Sequence, residues 1–168
     1  MKILCIRHGR AGEREPFAAS GQPDSARPLT AEGKRRLRRG CDGLLQLLPR
    51  LDLIASSPLL RAVQSAKIVH SAYPKADRIL LPELSPGESC ADLLRALTQD
   101  GHDHVAAVGH EPDLGRFICW LLCGKRGDFH PLKKGAACLL EIDPGEGAGH
   151  ARLLWSMTAS HLDRIGQN

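Results

Sequence analysis

The chain has 168 residues, of which 42% are hydrophobic and 25% are charged, a balance typical of a soluble globular protein. This length predicts a single domain over residues 1–168, large enough to bury a core without disulfides or metal ions. The formal net charge of +4 suits an anionic ligand. It is too small, and the cations outside residues 34–39 are too scattered, to indicate nucleic-acid binding.

The N-terminus and the cysteines give information about the cellular location of the protein. No apolar run approaches the roughly 18–20 residues that span a bilayer, and residues 1–6 lack the apolar core of a signal peptide. These features predict a cytoplasmic protein, not bound to membranes, whose six cysteines are reduced thiols. Cys119 and Cys123 share a predicted helix, where packing in the core is a commoner role than metal binding. No cofactor is expected.

The N-terminal stretch combines an apolar strand with a polar turn. Residues 3–6 form an apolar run with the length of a strand that is buried on both faces. Arg7, His8 and Gly9 follow directly. An arginine can bind two oxygens of a phosphate, a neutral imidazole can attack phosphorus, and the glycine lets the backbone approach a ligand. The alternative is an ordinary loop with a solvated cation.

The rest of the chain alternates between helical and strand patterns. The predicted helices cover residues 31–48, 58–71, 88–99 and 112–123, and the predicted strands cover 53–55, 78–81, 105–108, 136–142 and 152–157. Residues 13–28 and the basic segment 124–135 predict loops, and the polar end from Ser160 is expected to fray. The alternation predicts an α/β fold: a three-layer α/β/α sandwich whose central sheet is mostly parallel, with an antiparallel edge formed by the last two strands.

Polar residues also follow the later strands. Arg61, Glu83 and His110 each come shortly after a predicted strand, and parallel strands end at the same edge of a sheet, so they should converge with Arg7 and His8. Two arginines and one protonated histidine would bind phosphoryl oxygens without a metal. The second histidine, neutral, would be the nucleophile, and the carboxylate could protonate a leaving group. Taken singly, each residue has an alternative role in a loop or on the surface.

Three motifs, in this order, resemble the histidine phosphatase superfamily with its phosphoglycerate-mutase-like fold. They are RHG at residues 7–9, SSPLLRAVQSA at 56–66 and GH at 109–110. The resemblance implies that His8 carries a transient phosphate. It also implies that Arg7, Arg61 and His110 complete the phosphate pocket.

Other features resemble the phosphohistidine phosphatase SixA subgroup of that superfamily. The chain is short and carries ARPLT at residues 26–30 and LPELSP at 81–86. In that subgroup the arginine of RPLT is thought to approach the phosphate, which gives Arg27 a binding role by resemblance. The sequence departs from the family at Arg10, where an aspartate is common, and an extra cation there could shift the substrate preference.

Chain length and leaving-group chemistry favour a protein substrate. Little sequence separates Arg61 from His110, so no insertion roofs the site, and an open pocket suits a phosphorylated side chain on a protein. Free imidazole has a pKa of about 6.5, so it leaves without strong acid help, whereas a sugar hydroxyl needs a good general acid. Glu83 is therefore either a general acid or a residue of the loop surface.

Together these observations predict a phosphatase that hydrolyses phosphohistidine on a signalling or phosphocarrier protein. The partner would be a phosphohistidine-bearing protein, such as a phosphotransfer domain, and the reaction would pass through a covalent phosphohistidine on the enzyme and release phosphate. Two alternatives stay open. One is a small-molecule phosphomonoesterase that uses the same pocket, and the other is a catalytically silent module that binds phosphate.

Overall fold

A six-stranded mixed sheet forms the centre of the protein. The computed structural model describes residues 1–125 and 127–167. Arg126, in the predicted basic loop, and Asn168 lie outside the described residues. The strands in chain order are β1 (Lys2–Arg7), β2 (Leu53–Ser56), β3 (Asp77–Leu80), β4 (His104–Gly109), β5 (Ala137–Glu141) and β6 (Arg152–Met157). Their order across the sheet is β3-β2-β4-β1-β5-β6.

Strand direction follows the expected pattern. β3, β2, β4 and β1 run parallel, whereas β5 pairs antiparallel with β1 and β6 antiparallel with β5. The prediction of an α/β fold with a mostly parallel sheet and an antiparallel edge is confirmed. β1 lies between β4 and β5, and its residues 3–6 are fully buried. A strand covered on both faces requires an unbroken apolar run, which the sequence supplies there.

Helices cover both faces of the sheet. They are α1 (Arg14–Ala18), α2 (Ala31–Leu47), α3 (Leu60–Ala72), α4 (Cys90–Thr98), α5 (Asp113–Cys123) and α6 (Ala159–Ile165), with short 3₁₀ turns at Asp24–Ala26 and Pro82–Leu84. Successive side chains of a strand point to opposite faces. Accordingly, Ile3 and Cys5 pack with α4 and α5, and Leu4 and Ile6 pack with α2, α3 and α6.

The prediction of a loop over residues 13–28 is wrong in part. The segment contains α1 and a 3₁₀ turn, and its Asp24 carboxylate forms ion pairs with three arginines. The distances are 3.5 Å to Arg14, 2.8 Å to Arg27 and 3.2 Å to Arg61. These pairs join the segment to α3. Local patterning does not reveal them, since Arg61 is far away in the sequence.

The expectation that the chain frays from Ser160 is also wrong. α6 packs against α2, and its Leu162 is 1% exposed. Thr158 caps this helix, because its hydroxyl accepts a hydrogen bond from the His161 amide at 3.3 Å. The close approach depends on Gly43 in α2, where a Cβ would lie 2.0 Å from the Leu162 carbonyl oxygen. Because this short helix has a single buried leucine, its sequence lacks the repeated apolar spacing that would predict a helix.

Two further observations concern membranes and cysteines. Within residues 1–125 and 127–167, no helix has both the length and the apolar character needed to cross a membrane. None of the six cysteines, all of which lie within the described residues, forms a disulfide. Cys119 is fully buried in the core beneath α5, in agreement with the packing role, and Cys123 is exposed at the end of the same helix.

Replacing Gly43 with alanine should lower the free energy of unfolding by about 1–3 kcal/mol, because the new Cβ overlaps the Leu162 carbonyl. This effect outweighs the gain of up to about 1 kcal/mol from the better helix propensity of alanine. Urea unfolding of both proteins measures it. Gly147→Ala is the control, since a Cβ there meets nothing within 4 Å, and it should unfold like the wild type. Wild-type stability of Gly43→Ala would contradict the packing of α6 on α2.

Candidate active site

Buried polar side chains gather at the carboxyl ends of the parallel strands. Arg7 ends β1 and His8 follows it, Arg61 lies in the first turn of α3, and His110 follows β4. His8, Arg61 and His110 are 6%, 5% and 3% exposed. The ring centroids of His8 and His110 are 5.0 Å apart. The structure therefore brings both imidazoles to the edge of the sheet where the sequence places them.

The hydrogen bonding of His8 fixes its tautomer. Its Nδ1 lies 2.7 Å from the carbonyl oxygen of Gly9. Since a carbonyl oxygen only accepts hydrogen bonds, Nδ1 must carry the hydrogen and donate it. In the neutral ring, Nε2 then holds the free lone pair. The lone pair on Nε2 is the one that a nucleophile needs.

Burial keeps the His8 ring neutral. It lowers the pKa of His8 from 6.5 to about 4, and the positive charges of Arg61, Arg7 and Lys134 act in the same direction, against the hydrogen bond to Gly9. At neutral pH nearly every molecule therefore has an unprotonated Nε2.

His110 lies between β4 and α5 and is held by a buried serine. Its Nε2 is 2.9 Å from the hydroxyl of Ser57, the residue after β2. The amide of Leu59 donates to the same hydroxyl oxygen, whose own hydrogen can be donated to Nε2 of His110. In the tautomer that accepts this hydrogen bond, the ring hydrogen is on Nδ1, which is buried and has no hydrogen-bond partner among the described residues. Burial, followed by the charges of His8 and Arg61, lowers the pKa of His110 to about 3.

Arg7 is oriented by a loop that comes back to β1 from the far end of the chain. Its Nη1 donates to the carbonyl oxygen of Leu132 at 2.6 Å. The amide of Leu132 in turn donates to Oε1 of Glu111 at 2.7 Å, and Oε2 of Glu111 accepts from the Gly115 amide at 3.3 Å. Glu111 thus ties the loop to the first turns of α5. Sequence reasoning missed Glu111, although it directly follows His110.

Arg61 is oriented by Asp24. Its Nη1 lies 2.9 Å from the Asp24 carbonyl oxygen and 3.2 Å from the Asp24 carboxylate. The hydrogen bond from Arg27, together with the charges of the surrounding arginines, lowers the pKa of Asp24, so the carboxylate is ionised at neutral pH. The Nε groups of Arg7 and Arg61 are both buried without a partner in the described part of the chain. Buried N–H donors of this kind favour an anionic ligand, because an unpaired donor is unfavourable. Sequence reasoning also missed Asp24.

Arg27 forms hydrogen bonds with two groups of the protein beside the site. Its Nε donates to Asp24 Oδ1 at 2.8 Å and its Nη1 to the Gly12 carbonyl oxygen at 2.6 Å. Arg27 therefore supports Asp24, which orients Arg61, and it fixes the loop after Gly9. These contacts place Arg27 beside the site, and its direct contact with the phosphate stays a prediction.

The backbone amide of Gly9 is held in place by a hydrogen bond to a side chain of α3. Its amide donates to the Ser65 hydroxyl at 3.1 Å, and that hydroxyl donates to the Arg61 carbonyl oxygen at 2.7 Å. A Cβ on Gly9 would lie 3.3 Å from the Gly33 carbonyl oxygen, so a side chain would push the turn away from α2. This close approach explains why the residue is a glycine.

Glu83 lies beside His110, in the 3₁₀ turn after β3. It is half-buried, and both residues line one small cavity. Its Oε2 is buried and has no hydrogen-bond partner within the described residues. The carboxylate is therefore near the imidazole cluster, as its place after a strand predicts, and its proton-transfer role stays a prediction.

Three comparisons with known proteins give concordant results. The family model for the histidine phosphatase superfamily (branch 1) matches residues 3–88. An uncharacterized protein of Picosynechococcus sp. is 35% identical over 139 residues, which cover 80% of this chain and 81% of that protein. Phosphohistidine phosphatase SixA of Escherichia coli is 28% identical over 170 aligned positions, with 96% of each chain covered. The structure of the protein histidine phosphatase SixA complexed with tungstate has a TM-score of 0.80 at 26% identity, covering 96% of this chain and 99% of that one.

Acid should destabilise the protein through the two buried histidines. The pKa values of both are lower in the folded state than the unfolded value of about 6.5. As the pH falls below about 6.5, the unfolded state binds protons first, and the free energy of unfolding decreases. His8→Asn removes one such group. Its stability loss between about pH 7 and pH 4.5 should be about 2 kcal/mol smaller than that of the wild type.

Urea titrations of both proteins at the two pH values measure this difference. The exposed His161 provides the control, because His161→Asn should lose as much stability on acidification as the wild type. If His8→Asn and the wild type lost equal stability, the pKa of His8 would not be lowered by folding.

Proposed function

Since the chain belongs to the histidine phosphatase superfamily and acts as a phosphatase, we propose that its substrate is phosphohistidine on a signalling or phosphocarrier protein. The observation that carries the proposal is the pair of imidazoles, with a free lone pair on Nε2 of His8 and buried arginine donors around it. His8, Arg7, Arg61 and His110 are the catalytic residues of this proposal. No metal or cofactor enters it.

In the first step, Nε2 of His8 attacks the phosphorus of the substrate phosphohistidine. The new P–N bond forms as the P–N bond to the substrate imidazole breaks. The departing ring takes a proton from solvent on its other nitrogen and leaves as neutral imidazole, with a pKa of about 6.5. His8 becomes a phosphorylated imidazolium, and the Gly9 carbonyl, which accepts from Nδ1–H, stabilises its positive charge.

In the second step, water attacks the phosphorus of phospho-His8. The electrons of the P–N bond return to Nε2, one proton of the water passes to a base beside the site and from there to solvent, and inorganic phosphate leaves. Glu83 is the candidate to accept that proton, because its buried carboxylate oxygen borders the same cavity as His110. His8 returns to the neutral tautomer with Nδ1 still bonded to Gly9.

The arginines and His110 act on the phosphoryl oxygens. In the transition state, negative charge is spread over the three equatorial oxygens. The Nε donors of Arg7 and Arg61 and Nδ1–H of His110 would bind these oxygens, and positions already fixed by Leu132, Asp24 and Ser57 require little reorganisation. A bound phosphate dianion raises the pKa of His110 above its value of about 3, so the protonated form becomes accessible once substrate is present.

Two observations support a protein substrate over a sugar phosphate. Between α3 and β4 the chain contains only β3, a 3₁₀ turn and α4, so no inserted domain covers the site. The relative with 28% identity over nearly the whole chain is a phosphohistidine phosphatase, and the similar solved structure with a TM-score of 0.80 is that of a protein histidine phosphatase. A partner that displays phosphohistidine on its surface, in the same compartment, is part of the proposal.

The test compares initial rates on a phosphohistidine-bearing phosphotransfer domain with rates on a panel of sugar phosphates. The proposal predicts a higher kcat/KM on the phosphorylated domain. His8→Ala should reduce turnover by at least about 10³-fold, because it removes the nucleophile. The control is His150→Ala, an exposed histidine in the turn between β5 and β6 at the opposite edge of the sheet, which should keep wild-type rates.

The other outcomes are distinct. A preference for sugar phosphates would indicate the small-molecule phosphomonoesterase and overturn the protein substrate. An absence of turnover on every phosphorylated compound, with phosphate still bound by wild type and by His8→Ala, would indicate a silent binding module. Wild-type turnover by His8→Ala would overturn the mechanism itself.

A further inference from the structure

A second cavity, of about 250 Å³, is lined by Gly9, the residue after His8, and the proposed reaction does not use it. Its charged lining residues are all cations: Arg10, Arg36, Lys133 and Lys134. Aspartate and glutamate are absent from its lining among the described residues. We call this the basic cavity. Its volume is below the roughly 300–1,000 Å³ of pockets that enclose drug-sized ligands, so it suits a side chain or one small anionic group.

The basic cavity borders the phosphoryl site directly. Gly9, the residue after His8, lines it. Gly135 lines it as well, and its amide donates to the carbonyl oxygens of Arg7 at 3.1 Å and His8 at 3.2 Å. Lys134 is near enough for its charge to lower the pKa of His8. A group bound in the cavity would therefore be next to the reacting phosphoryl group.

Both walls of the cavity are rigid. On one side, Arg10 is held to the start of α2, because its carbonyl oxygen accepts from the Thr30 amide at 2.9 Å. On the same side, the backbone of Arg10 packs on Gly33 so closely that a Cβ there would lie 2.1 Å from the Arg10 carbonyl oxygen. On the other side, the bonds of Gly135 fix the segment that carries Lys133 and Lys134. The backbone of the segments that carry Arg10, Lys133 and Lys134 is therefore fixed around the cavity.

The charges in the cavity are largely uncompensated. Arg10, Lys133 and Lys134 form no ion pair with any carboxylate in residues 1–125 and 127–167, and Arg36 is 4.0 Å from Glu32. All four cations are exposed to solvent at the mouth of the site. Like charges held together without counter-ions are unfavourable for the folded protein and attract anions from solution.

We propose that the basic cavity binds the carboxylate of an acidic side chain that the substrate protein presents next to its phosphohistidine. This inference rests on the proposed function and specifies which phosphohistidine proteins the enzyme prefers. Arg10, Arg36, Lys133 and Lys134 are then specificity-determining residues. They contact the neighbouring acidic residue, while the phosphoryl group lies between the two histidines and the two buried arginines.

The test uses Arg36→Gln/Lys133→Gln, which removes two cations of the cavity outside the catalytic set. The matched control, Arg38→Gln/Lys125→Gln, removes two exposed cations from the same helix and the same loop that do not line the cavity. Three substrates are compared. They are free phosphohistidine, a phosphotransfer domain with acidic residues one helical turn on either side of its phosphohistidine, and the same domain with those residues changed to their amides.

On the acidic domain, the cavity variant should lose about five- to tenfold in kcat/KM, as expected for two partly solvated ion pairs. It should stay within about twofold of the wild type on the amide domain and on free phosphohistidine, and the control variant should match the wild type on all three substrates. The preference of the wild type for the acidic domain should also weaken as salt is raised.

If the cavity variant lost equally in kcat/KM on the acidic and amide domains, or lost nothing, the carboxylate site would be overturned. Hydrolysis of free phosphohistidine in the same experiment would show that the proposed function still holds. If the wild type hydrolysed none of the three substrates, the proposed function would fail first and the inference with it.

Discussion

The hydrogen bond from Nδ1 of His8 to the Gly9 carbonyl determines which chemistry this site can perform. It places the ring hydrogen on the side away from the pocket and leaves a lone pair on Nε2. Burial then holds the pKa of His8 at about 4, so the lone pair is available at neutral pH. Without that carbonyl, the two tautomers would compete, and a ring with its hydrogen on Nε2 could not attack phosphorus.

The two arginines depend on partners in a similar way. Arg7 is oriented through Leu132 and Glu111, and Arg61 through Asp24. In each case Nη1 donates a hydrogen bond to a protein carbonyl oxygen, and Nε is buried without a partner in residues 1–125 and 127–167. The arginines are thus fixed before an anion arrives, which is the arrangement expected of a preorganised oxyanion site.

The sequence predicted the position of the two histidines better than the position of the residues that support the site. His8 and His110 could be placed because each follows an apolar strand, and parallel strands share one edge. Asp24 and Glu111 were missed because their partners Arg61 and Leu132 are 37 and 21 residues away, and no local pattern records such pairs. The loop predicted over residues 13–28 and the fraying end failed for a related reason. Both segments are ordered by tertiary contacts, the first through an ion-pair cluster and the second through Leu162 on Gly43.

The account is tested most directly by mass spectrometry of the protein after brief exposure to a phosphohistidine-bearing domain, quenched without acid. It predicts an acid-labile phosphoryl group on His8, formed and lost within the time of a single turnover. Its attachment should be at Nε2, since Nδ1 is engaged by Gly9. Phosphate release at the normal rate, with His8 never modified or with the phosphoryl group on another residue, would contradict the account.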